Sequence, residues 1–103
     1  MKTNQRQALE RLIAIAKKDT DQCRRVANFL LSWFNGPVCG GWDVTDVWHL
    51  QTDIREDVLV VLAFISEQTI YPETLGYSDE FQVIARQWHP SFFIPENEGK
   101  NND

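Results

Sequence analysis

The 103-residue sequence has few of the features on which secretion or membrane insertion depends. Its longest apolar run, residues 58–65, has eight residues, whereas a transmembrane helix needs about 20. The first six residues, MKTNQR, are polar where a signal peptide has an apolar centre. We therefore expect a cytoplasmic protein with no membrane segment.

The sequence is also poor in metal ligands, with two cysteines and two histidines in all. Cys23 and Cys39 lie sixteen positions apart, and His49 and His89 follow at wide intervals. Structural zinc sites typically have closely paired ligands, because a shared loop pre-orders the site. A disulfide is not favoured in a reducing cytosol. We expect free thiols, no metal and no other cofactor.

Patterns typical of catalysis are equally sparse. Cys39 is the best nucleophile candidate, because Gly40 and Gly41 follow it and their backbone N–H groups can serve an oxyanion. The pattern is short, however, and glycine pairs usually just turn the chain. Residues 36–41 also lack the Lys-Ser/Thr that follows a phosphate-binding loop. We expect a protein that is not an enzyme, with a thiol-dependent enzyme as the weaker hypothesis.

Apolar and aromatic residues, in contrast, are plentiful. Hydrophobic residues make up 43% of the chain, and they include four tryptophans, six phenylalanines and two tyrosines. This is enough for one core in one domain of ordinary size. We predict a single helical domain over residues 1–95, followed by a loose acidic tail, 96–103, which has no apolar residue.

The spacing of the apolar residues predicts an all-α fold, a compact bundle of four main helices plus one short helix. The main helices are expected over residues 5–18, 21–34, about 53–66 and 79–89, and the short one over 44–48. The sequence Asn35-Gly36-Pro37 is a strong helix stop. The β-branched residues of 58–65 also fit a buried strand. Asp53 as an N-cap and the length of the segment favour the helix.

Charge is divided unevenly along the chain. Residues 1–25 carry seven basic and three acidic residues, a net charge of +4, whereas residues 26–103 carry three basic and twelve acidic residues, a net charge of −9. Such a division can serve internal docking, head-to-tail self-association or two separate partners.

Five segments of the sequence resemble a family of small bacterial proteins of unassigned function that is associated with plasmids, prophages and integrative elements. These segments are residues 8–16, 23–31, 40–43, 71–77 and 86–90. The resemblance covers about residues 8–90 and supplies no catalytic residue. It implies an accessory protein of mobile DNA, and such proteins are often small binders or regulators.

We expect a non-enzymatic interaction or regulatory module that binds a protein partner, with a homodimer as one possible form. The aromatic residues exceed what a core of this length needs, and aromatic side chains and arginine dominate interface energetics. The alternative is a nucleic-acid-associated regulator that uses the basic N-terminal region, although the acidic total disfavours it. The candidate interaction residues are Trp33, Trp42, Trp48, Phe92, Phe93, Arg24 and Arg25.

Overall fold

The chain folds into four α-helices joined by short loops. The computed structural model describes residues 1–93, and of Phe92 and Phe93 only the backbone is described. The helices are α1 (Thr3–Ala16), α2 (Asp21–Cys39), α3 (Thr52–Glu67) and α4 (Ser78–Trp88). Short 3₁₀ helices cover Val44–His49, Pro72–Leu75 and Pro90–Phe93. The prediction of an all-α fold is confirmed, and residues 1–93 contain no strand. The predicted loose tail and residues 94–95 lie outside the described residues.

Helix α1 is the central element, since it contacts each of the other three helices. Its apolar side chains recur every three or four positions, so they share one face of the helix. These buried residues are Ala8, Leu9, Leu12, Ile13 and Ala16. They join the buried residues of α2, α3 and α4 in one hydrophobic core.

Helix α2 is kinked at the position where the sequence predicts a stop. The Thr20 side chain accepts a hydrogen bond from the backbone N–H of Cys23 and caps the helix start. Asn35, at φ −157° and ψ 80°, interrupts the helical backbone. A further turn then runs to Cys39, and Pro37 is tolerated there because it lies in the first turn after the interruption. The backbone N–H of Gly40 closes this turn by donating a hydrogen bond of 2.8 Å to the carbonyl oxygen of Gly36. Glycine is required there, because a Cβ would lie 2.1 Å from the same oxygen.

Residues 58–65, whose composition also fits a buried strand, form part of helix α3. Its buried residues, Ile54, Val58, Val61 and Phe64, are three or four positions apart and face the core. The predicted cap is wrong by two positions, because the N-cap residue is Gln51 and Asp53 lies in the first turn. The hydrophobic spacing therefore identified the helix, although it did not locate its first residue.

Ion pairs connect the basic N-terminal part of the chain with the acidic remainder. Arg11 on α1 binds both carboxylate oxygens of Asp57 on α3, each at 2.8 Å. Lys17 at the end of α1 pairs with Glu80 on α4. Internal docking therefore accounts for part of the uneven charge distribution.

Candidate binding groove

A mainly apolar groove lies between α2, α3 and the loop after α3. Its volume is about 390 Å³, within the usual range of ligand pockets. None of the charged residues in the described part of the chain lines it. Its principal lining residues are Phe29, Trp33, Trp42, Leu62, Ile65 and Tyr71. Of the predicted interaction residues, the groove brings together Trp33 and Trp42.

Trp33 forms a rigid part of the groove wall. Its indole N–H donates a hydrogen bond of 3.0 Å to the carbonyl oxygen of Ile70. Its ring meets Phe81 of α4 edge-on, with centroids 5.8 Å apart, and Phe64 of α3 at 6.5 Å. The side chain is only 9% exposed. The hydrogen bond and the two aromatic contacts fix its orientation, so the groove is pre-formed at this point.

Trp42 also lines the groove and is held less completely. It follows Gly41, whose φ of +153° disfavours any side chain, and its ring contacts Phe29 edge-on at 5.1 Å. The indole nitrogen is buried and has no hydrogen-bond partner among the described residues. Within the described residues, Trp42 is therefore held by its contact with Phe29 and not by a hydrogen bond of its indole.

The rim of the groove is exposed and apolar. Tyr71 is 61% exposed and Leu62 is 37% exposed. A second depression shares Ser32, Trp33 and Tyr71 with the groove and includes Glu73, its one charged lining residue from the described part of the chain. The apolar groove therefore continues into an acidic end.

Trp48, the third tryptophan candidate, does not line this groove. Trp48 lies on the Val44–His49 3₁₀ helix and is 74% exposed. Asp43 begins this 3₁₀ helix, and its carboxylate accepts hydrogen bonds from the backbone N–H and the hydroxyl of Thr45, which lower the pKa of Asp43. The side chains of Phe92 and Phe93 lie outside the described part of the structure, so their role as interaction residues stays a prediction.

The two arginine candidates are engaged in ion pairs at the start of α2. Arg24 binds Asp21 at 2.7 Å, and Arg25 binds the same carboxylate at 3.0 Å. Arg25 also pairs with the buried Asp46, which connects α2 to the 3₁₀ helix. Hydrogen bonds from the two guanidinium groups hold the pKa of Asp21 below its ordinary value. These contacts give both arginines a structural role.

The thiol and imidazole groups are not arranged as a reaction centre. Cys39 is fully buried, and burial raises the pKa of its thiol. A reactive cysteine needs the opposite, a partly exposed thiolate with a lowered pKa. Both cysteines are free. Within residues 1–93, no three side chains of His, Cys, Asp or Glu gather closely enough to hold a metal ion.

No helix among the described residues is sufficiently long and apolar to cross a bilayer.

Residues 6–89 match the family of unknown function DUF7673. The chain belongs to this family. The predicted resemblance to an uncharacterised family is thus confirmed. No curated protein and no solved structure matched the chain.

Sequence reasoning missed the loop that completes the groove. Thr69, Ile70 and Tyr71 line it, and the carbonyl of Ile70 orients Trp33. Loop residues have no periodicity from which burial can be read. The only available signal was the apolar pair Ile70-Tyr71 before Pro72, where a helix does not continue.

Proposed function

We propose that this protein is a non-enzymatic interaction module that binds a segment of a partner protein in the groove between α2 and α3. The observation that carries the proposal is the combination of a fixed aromatic wall, Trp33, with an exposed apolar rim at Tyr71 and Leu62. Rigid aromatic side chains contribute most to binding at protein interfaces, because they bury a large area with little loss of side-chain entropy.

The charge around the groove favours a basic partner segment. Glu73 lies at one end of the groove, and the chain as a whole has a net charge of −5. A net negative surface attracts and orients a positively charged partner. The segment that fits best has one or two large apolar side chains for the groove, followed by Lys or Arg near Glu73.

The competing functions have less support. A nucleic-acid regulator would use Arg24 and Arg25, yet both are ion-paired with Asp21, and Arg25 also with Asp46. A thiol enzyme would use Cys39, which is buried. The setting proposed for the module is the cytoplasm of a bacterium, as an accessory protein of a mobile element. The sequence resemblance supports this setting.

A capture experiment with a blocked groove tests the proposal. Thr69 and Tyr71 are exposed, so the double variant Thr69→Arg/Tyr71→Ser changes the groove without removing a core residue. Val83→Arg on α4 is the matched control, because Val83 is an exposed apolar residue that does not line the groove. Folding of all three proteins is checked by far-ultraviolet circular dichroism.

The native chain and the control should capture the same protein from a bacterial lysate, and the groove variant should lose it. With the captured protein purified, the variant should bind at least about tenfold more weakly, which corresponds to about 1.4 kcal/mol. Equal capture by all three proteins would place binding elsewhere. Failure of the native chain to retain any protein at moderate salt would remove the proposed function.

A further inference from the structure

The connection between α2 and α3 is held at both ends by the core and only lightly in between. Cys39 and Leu50, which flank it, are both buried in the core. Within the described part of the chain, Trp42 is the one residue of 41–49 whose apolar side chain packs on the core. Val44, for example, is 64% exposed. Residues 41–49, which we call the strap, therefore gain little stability from hydrophobic burial.

Three contacts place the strap and the residues after it along one face of α2. The α2 residues that make these contacts are three or four positions apart, so they share a face of the helix: Gln22, Arg25 and Phe29. Their partners, in the same order, are Gln51, Asp46 and Trp42. The strap therefore runs antiparallel to α2, and the three contacts span about 10 Å of its length.

The Arg25–Asp46 ion pair holds the middle of the strap. The Asp46 side chain is 10% exposed and that of Arg25 is 18% exposed, so solvent screens the pair only in part. Asp46 is the one buried charged residue in the described part of the chain. Loss of the guanidinium would leave a buried carboxylate without its cation, and this favours release of the strap into water.

The upstream end of the strap has the freedom that such a release requires. The backbone of Gly40 stays bound to Gly36 at the end of α2. Gly41 follows, and nothing lies within 4 Å of the place that a Cβ would occupy there. A glycine in open space can change its backbone angles without disturbing its neighbours, so residues beyond it can move while α2 keeps its shape.

We propose that the strap opens and closes on α2 as a unit, that Arg25 and Asp46 latch it, and that its closed position sets Trp42 in the groove. The last part rests on the proposed function. Trp42 is four positions from Asp46, so the latch positions the indole against Phe29, although neither Arg25 nor Asp46 lines the groove. A partner segment in the groove contacts Trp42 only while the strap is closed, and its binding therefore stabilises the closed position.

Hydrogen exchange followed by heteronuclear NMR tests the strap in the free protein. The buried indole N–H of Trp42 reports on the strap, and the backbone N–H of Leu12, fully buried on α1, reports on the core. Relative to the urea-unfolded chain, the Trp42 N–H should be protected at least about tenfold less than that of Leu12, because the strap opens without the core. Equal protection would overturn the proposal.

Variants of the ion pair test the latch. Arg25→Gln and Asp46→Asn should each speed exchange of the Trp42 N–H by at least about tenfold, because hydrogen bonds between charged groups are among the stronger ones. Arg24→Gln is the matched control, since Arg24 also pairs with Asp21 but has no ion pair to the strap within the described residues. It should leave the rate unchanged. No acceleration by Asp46→Asn, or an equal one by Arg24→Gln, would show that the pair is not a latch.

A core variant tests whether the strap is a separate unit. Phe81→Leu destabilises the core and should speed exchange of the Leu12 N–H by about 5- to 30-fold. It should leave the Trp42 N–H unchanged, because Phe81 does not contact the strap among the ring contacts of the described residues. Equal acceleration of both signals would mean that the strap opens only when the whole domain unfolds.

The captured protein tests the connection to the groove. At saturation it should slow exchange of the Trp42 N–H by at least about tenfold, because it binds the closed strap and not the open one. If it binds through the groove and the exchange does not slow, the strap does not close on the partner. If the native chain captures nothing, the proposed function fails, and exchange in the free chain still decides whether the strap opens.

Discussion

Phe81 connects the groove to the core, and its removal should be among the most costly single substitutions in this protein. The side chain is fully buried on α4. Its ring lies 5.8 Å from the ring of Trp33 and 5.8 Å from that of Phe34. Phe81→Ala removes both aromatic contacts and leaves a cavity, for an expected loss of about 3–5 kcal/mol in the free energy of unfolding. That is a large part of the roughly 5–15 kcal/mol that stabilises a typical domain.

Urea denaturation followed by far-ultraviolet circular dichroism measures this loss. With a denaturant dependence of about 1–3 kcal/mol per molar, the midpoint should fall by at least about 1 M. Phe81→Leu, which keeps most of the volume, should cost about 1–2 kcal/mol and covers the case in which the alanine variant does not fold. Val83→Ala, two residues away and exposed, should change stability by about 0.5 kcal/mol or less. A Phe81→Ala loss below about 1 kcal/mol would refute this description of the core.

Two further predictions concern titrating groups. Asp21 and Asp43 have pKa values below the ordinary 3.8, so the stability they contribute is complete above that pH and is lost as the pH falls toward their lowered values. Urea unfolding at a series of acidic pH values should therefore show a shallower loss for Asp43→Asn than for the native chain, and equal slopes would contradict the assignment. The buried Cys39 should react with iodoacetamide at least about tenfold more slowly in the folded protein than in urea. Rapid alkylation of the folded protein would instead revive the thiol-enzyme hypothesis.

The sequence predicts the helices well because each one buries a periodic apolar face. The residues of α1 that the spacing places inside are buried, and residues 58–65 are helical because they belong to α3, whose 16 residues cover the core over about four turns. The predicted stop at Asn35-Gly36-Pro37 is a kink in the structure, because the helix resumes for one more turn after Asn35. The hydrogen bond from the backbone N–H of Gly40 to the carbonyl oxygen of Gly36 ends that turn. Local signals mark such a break, but they do not determine whether the helix resumes beyond it.

The groove is harder to predict, because its residues are brought together by tertiary contacts. Trp33 and Trp42 look alike in the sequence, yet one is hydrogen-bonded to Ile70 and the other has a buried indole nitrogen without a partner among the described residues. Arg25 is ion-paired with Asp46, which lies 21 positions away in the chain, so its availability to a partner cannot be read from the residues next to it. Composition indicates that aromatic and basic residues are available, and only the packing shows which of them remain open to a partner.

The indole N–H signals of the four tryptophans in a heteronuclear NMR spectrum test the central claim most directly. Trp33 and Trp42 line the groove, whereas the indole of Trp88 donates to the carbonyl of Ala16 between α4 and α1. When the captured protein partner is added, the signals of Trp33 and Trp42 should shift and that of Trp88 should stay in place. A shift confined to Trp48 or Trp88 would show that the partner binds elsewhere, and the groove would not be the interaction site.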